Sequence, residues 1–139
     1  MRVRAQLIDA DGNPIGVTGN ELVISGISGS GGPSTNSRND TFTTTANGTT
    51  VTVGTGVAKT FSLQVVKTGS VSAWSIVLEG SNDNTNFTTI LTHNETSPGD
   101  GKLMFTGSLD SPCKYFRSRC VSITLGGGTS VTAYILGVS

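Results

Sequence analysis

Val71-Ser72-Ala73-Trp74-Ser75-Ile76-Val77-Leu78-Glu79-Gly80-Ser81-Asn82-Asp83-Asn84-Thr85-Asn86-Phe87-Thr88-Thr89-Ile90 reads as a strand, a polar tip and a returning strand. Trp74, Ile76 and Leu78 fall two apart and so share one face. Ser75 and Glu79 take the other, the alternation of a half-buried sheet. The tip from Ser81 to Asn86 is built of Ser, Asn, Asp and Thr, whose short polar side chains satisfy turn backbone. A β-hairpin of this kind predicts an all-β protein.

Outward from the hairpin, apolar and β-branched runs recur at short spacing: 41–45, 50–53, 58–66, 71–78, 87–92, 102–106, 114–125 and 130–138. Gly, Pro, Asn or Asp clusters separate nearly all of them. Eight short strands in about a hundred residues predict a single β-sandwich or jelly-roll-like domain over residues 39–139. Phe61, Leu63 and Val65 form one core face, joined by Trp74, Ile76, Leu78, Phe87 and Ile90. The strand from Lys114 presents Tyr115, Arg117, Arg119, Val121, Ile123 and Leu125 on one parity and Phe116, Ser118 and Cys120 on the other. Its apolar parity therefore switches partway along, and a β-bulge between Arg119 and Val121 reconciles the two halves.

Residues 1–38 differ in character. A short strand-like start leads to an Asp11-Gly12-Asn13-Pro14 turn, an apolar run from Glu21 to Ile27, and a Ser28-Gly29-Ser30-Gly31-Gly32-Pro33-Ser34 linker. This stretch carries too little apolar surface to fold alone, and reads as an extended N-terminal arm or hairpin that packs on a neighbour or on its own domain.

Composition narrows the function. Nine Lys+Arg against nine Asp+Glu give zero formal net charge, so no long-range field steers the chain to nucleic acid or to an acidic membrane. Only 13% of residues are charged, against 21 Thr, 17 Ser and 19 Gly. A hydroxyl-rich surface with few charges has weak colloidal repulsion, which favours association with other proteins. No stretch reaches the apolar length of a membrane span, and the Met1-to-Leu7 start lacks the core of a secretory signal, so the chain is expected to be made in the cytoplasm. Cys113 and Cys120, seven apart on what reads as one strand, point to opposite faces and are expected as free thiols. The Asn-x-Thr sequons at Asn39, Asn47, Asn86 and Asn94 are then chance products of an Asn- and Thr-rich chain.

No catalytic, cofactor-binding or metal residue is assigned. Asp9-Ala10-Asp11-Gly12-Asn13 begins like a calcium loop, but the sixth position is not Gly and the twelfth, Asn20, is not Glu; a tight Asp-Gly turn explains the run. Asn82, Asp83, Asn84 and Asn86 belong in a hairpin tip for backbone reasons alone. The only histidine, His93, has no nucleophile signature beside it and reads as a surface or loop residue at a strand end. Gly29 to Gly32 and Gly126-Gly127-Gly128 lack the Lys-Ser/Thr of a phosphate loop. Arg117 and Arg119 beside Tyr115 and Phe116 are a thin footprint for nucleic acid and read as surface arginines flanking core aromatics.

The Glu79-Gly80-Ser81-Asn82-Asp83-Asn84-Thr85-Asn86-Phe87 hairpin, followed by Lys114-Tyr115-Phe116-Arg117-Ser118-Arg119, resembles small structural proteins of tailed bacteriophages over residues 60 to 125. The Tyr115-x-Arg117-x-Arg119 strand is also similar to a core-and-rim element of discoidin-related sandwiches, a likeness of fold and not of sugar binding. The phage resemblance implies a virion component and not an enzyme. Within that group it implies a capsid decoration (cement) protein on the virion's outer capsid surface, clamping major capsid protein subunits and associating with copies of itself as a trimer, with no nucleic-acid or membrane partner and no cofactor. The alternative is a carbohydrate- or receptor-binding module of a tail fibre, head fibre or baseplate; it is opposed by the small number of aromatics and by Trp74 lying on the apolar parity.

Overall fold

A computed structural model describes residues 33–54, 56–96 and 102–139, the backbone alone within 102–111, and the short strands Val17–Thr18 and Glu21–Leu22. The chain divides into two units, Met1–Gly32 and Pro33–Ser139. In the first, β1 (Val17–Thr18) pairs antiparallel with β2 (Glu21–Leu22). The Asp9–Asn13 run, Asn20, the Asp11–Pro14 turn and the Gly29–Gly32 stretch lie outside the described residues.

The second unit is all β. Its strands are β3 (Thr35–Phe42), β4 (Ala46–Asn47), β5 (Val51–Thr52), β6 (Ala58–Thr68), β7 (Ala73–Ser81), β8 (Thr88–Glu95), β9 (Lys102–Cys113), β10 (Tyr115–Thr124) and β11 (Ser130–Val138). One sheet runs β3-β11-β6-β9; in the other, β8, β7 and β10 are followed by β4 and β5, which both pair with the outer side of β10. All of these pairings are antiparallel, and the two sheets form a sandwich. Nine strands stand where eight were expected, because the two-residue β4 has too few residues to leave a periodic signal. Residues 35–38, expected within the arm, are instead strand residues paired with β11.

The core is built from alternate residues of both sheets. β6 contributes Phe61, Leu63 and Val65; β11 contributes Val131, Ala133 and Ile135; β7 contributes Trp74, Ile76 and Leu78; β10 contributes Phe116 and Cys120, all buried. Phe61 and Phe116 meet edge to face across the sandwich, ring centroids 5.6 Å apart at 73°. This pairing lies on Gly137 of β11, where a Cβ would sit 2.8 Å from Phe116 Cε1 and 3.1 Å from the Ala58 methyl. Of the expected core, Phe87 is only half-buried, and Ile90 packs against the cluster from its margin.

Of three register shifts, the third falling between Leu78 and Glu79 of β7 against β8, two bear on the expected parity. In β10 the register with β7 shifts between Cys120 and Ser122, so Val121 is thrown out to 41% exposure and Ile123 returns inward. The parity switch in the sequence anticipated this irregularity. In β6 the register with β9 shifts between Ala58 and Thr60, which lets Ala58 and Phe61, three apart, both face inward.

Cys113 and Cys120 do not share a strand. β9 belongs to the four-stranded sheet and β10 to the other, and the chain changes sheets at Lys114, whose N–H donates to Ser81 O and Asn82 Oδ1, both at 3.2 Å, and whose C=O accepts from Val53 N–H at 2.9 Å. Both thiols are free and buried, and burial pushes each above its ordinary value.

Candidate functional site

The hairpin that decided the fold also carries the densest polar cluster. Glu79 was expected to face solvent, but only 4% of it is exposed. Its partner across the ladder is Arg117, two residues from Arg119 on the same face. Arg117 Nε and Nη2 each lie 3.0 Å from Glu79 Oε2, and Arg119 Nε lies 2.6 Å from Oε1. The Arg117 guanidinium also sits 3.9 Å over the Phe87 ring. Two arginines therefore fold over one carboxylate, and an aromatic caps the first of them. Glu79 offsets one of the two positive charges and fixes both guanidiniums against the sheet, a structural use of Arg117 and Arg119.

At the tip, Asp83 accepts from Ser81 Oγ (2.9 Å), Thr85 N–H (2.8 Å), Asn86 N–H (2.7 Å) and Asn86 Nδ2 (2.7 Å). Those bonds, led by Asn86, hold its carboxyl well below the usual carboxylate range. Asn84 takes the left-handed conformation at φ 60°, which Asn tolerates. The four polar tip residues thus serve the turn. A cleft of about 400 Å³ lies beside them, lined by Ser81, Asn82, Asn86, Ile90 and Cys113 among others, with both amides already engaged.

A second polar device joins the sheets. Asp40 of β3 accepts from the buried Ser118 Oγ of β10 at 2.7 Å and from Thr49 N–H at 3.1 Å. Arg38 Nε lies 3.7 Å from Asp40 Oδ1, and its Nη2 donates to Thr49 Oγ1.

His93 stands within β8 and not in a loop. It is half-buried, stacks at 5.9 Å on Trp74, and accepts the Trp74 indole N–H on Nδ1 at 3.0 Å. That bond requires a neutral ring, and burial lowers the imidazole below its ordinary value against a smaller raising effect of Glu95. Trp74 itself is 3% exposed. No group of three or more His, Cys, Asp or Glu side chains able to hold a metal occurs among the described residues.

The outer face of the four-stranded sheet is different in kind. Register places Ser37, Asn39 and Thr41 of β3, Thr132, Tyr134, Leu136 and Val138 of β11, and Ser62, Gln64 and Val66 of β6 on it, none of them charged, with Lys102 of β9 paired to Val66 at one end. Tyr134, 44% exposed, stands beside a groove of about 490 Å³. Sequence reading missed this residue, although its parity opposite Ala133 and Ile135 in the last strand placed it outward.

Among solved structures, the chain is similar to the SPBc2 prophage-derived protein YomS. The TM-score is 0.50 with 18% sequence identity, covering 77% of this chain and 95% of that protein. At that identity the likeness is one of fold, and the covered share is as large as residues 33–139. No protein-family model and no curated protein matches the chain.

Proposed function

We propose that this chain is a structural protein of a bacteriophage virion, and within the virion a capsid decoration protein that binds the outer lattice of the major capsid protein. The observation that carries the reading is the sandwich shared with nearly the whole of a prophage-derived protein, on a chain whose own hairpin and β10 motifs resemble phage structural proteins.

The physical chemistry of the surface supports it. Zero net charge and only 13% charged residues leave faces of hydroxyl, amide and apolar groups. Such faces bind by area and shape, each contact weak, and a lattice multiplies them. Self-association as a trimer and the absence of catalysis belong to the same proposal; a clamp needs no reacting group.

The test is co-sedimentation of the purified protein with phage heads stripped of their small proteins. Saturable binding at a fixed ratio to the major capsid protein is the expected result. Absence of binding to heads overturns the decoration role.

A further inference from the structure

Tyr134 is one of two large hydrophobic residues exposed among the described side chains; the other, Val121, is accounted for by the bulge. Tyr134 faces outward by strand parity, and no described side chain covers it. Its direct cross-strand neighbours are Asn39 on β3 and Gln64 on β6, with Ser37 and Ser62 one pair further along the same face. An aromatic ring flanked on both sides by amides and hydroxyls, with no charged direct cross-strand neighbour, is the chemistry that recognises a pyranose. The ring stacks against the sugar's C–H face, and the amides bond its hydroxyls. We propose that this face is a binding site for neutral oligosaccharides, with Tyr134 as the platform and Asn39 and Gln64 as hydrogen-bonding flanks.

The spacing fits. Neighbouring strands lie about 4.8 Å apart, so a sugar ring centred on Tyr134 holds its peripheral hydroxyls above β3 and β6. The groove of about 490 Å³ lies within the range of small-ligand sites. The contrast with nearby groups is informative. Thr41 and Thr132 on this face bond each other at 2.9 Å, and the amides of the tip cleft are bonded to Asp83 and Lys114. The amides of Asn39 and Gln64 bond no other described side chain. Arg38, which lines the groove, is held by Asp40 and Thr49, so among the described residues the groove presents no unpaired cation, which favours neutral over acidic sugars. The site does not depend on the decoration role, since it needs only the sandwich.

The test is titration of the isotopically labelled full chain with maltohexaose, cellohexaose, laminarihexaose and N-acetylchitohexaose to about 10 mM, the range of a one-platform site. The expected result is saturable shifts of the Asn39, Gln64 and Tyr134 amide signals with at least one of them. Tyr134→Ala weakens that binding at least about tenfold, and Tyr134→Phe, which keeps the ring, stays within about threefold. Both substitutions are at an exposed position and leave the core signals in place. No shift with any of the four, or binding indifferent to Tyr134→Ala, overturns the proposal. A concentration-dependent dimer abolished by Tyr134→Ala, seen by sedimentation without sugar, assigns the face to a second copy and overturns it equally.

Discussion

His93 and Trp74 are the only residues of their types in the chain, and they touch. Because the folded state holds His93 neutral, its imidazole titrates below the ordinary value of 6.5 in the fold and near that value when unfolded. The unfolded chain therefore binds the proton first as pH falls. Stability contributed by the pair is complete above pH 6.5 and is lost as pH drops through the lowered folded value. Urea midpoints followed by Trp74 fluorescence should be flat from pH 8 to about 7 and decline below 6.5, and His93→Gln should remove that step. An unchanged profile in the variant would show that carboxylates alone set the decline. At this scale Glu79 was misread from alternation, which says which side of a sheet a residue takes but not what covers that side. Replacing Glu79 by Ala leaves two guanidiniums facing each other, a loss of about 2–4 kcal/mol given that the arginines keep some solvent contact. A change under about 0.5 kcal/mol in urea unfolding would contradict it.

Among the elements, the bulge at Val121 was legible because Phe116 and Cys120 on one parity and Ile123 on the other cannot all face inward along a regular strand. The change of sheet at Lys114 was not legible. Asp110 and Pro112 mark a break before the run that starts at Lys114, but the turn into the other sheet is held by long-range bonds to Ser81, Asn82 and Val53 that no local residue announces. Strand β11 shows how close the packing of the sheets is. Gly137→Ala drives a methyl into the Phe116 ring and the Ala58 methyl, and overpacking of this kind costs about 1–3 kcal/mol. The urea midpoint should fall with the slope unchanged, and a midpoint equal to that of the parent would mean the sheets separate freely at this point.

For the whole molecule, zero net charge and 13% charged residues describe a surface suited to neighbours. The sandwich was readable from strand spacing and turn composition. The Tyr134 face was not, since it appears only when β3, β11 and β6 are laid side by side in register. The proposed decoration role has a mechanical consequence: a protein bridging capsid subunits raises the temperature at which DNA pressure opens the shell. The decisive measurement is heat-induced DNA release from filled heads stripped of small proteins, with and without the purified chain added back. The account predicts release at a higher temperature once the chain saturates the lattice. Release at the same temperature, with the lattice saturated, would contradict it.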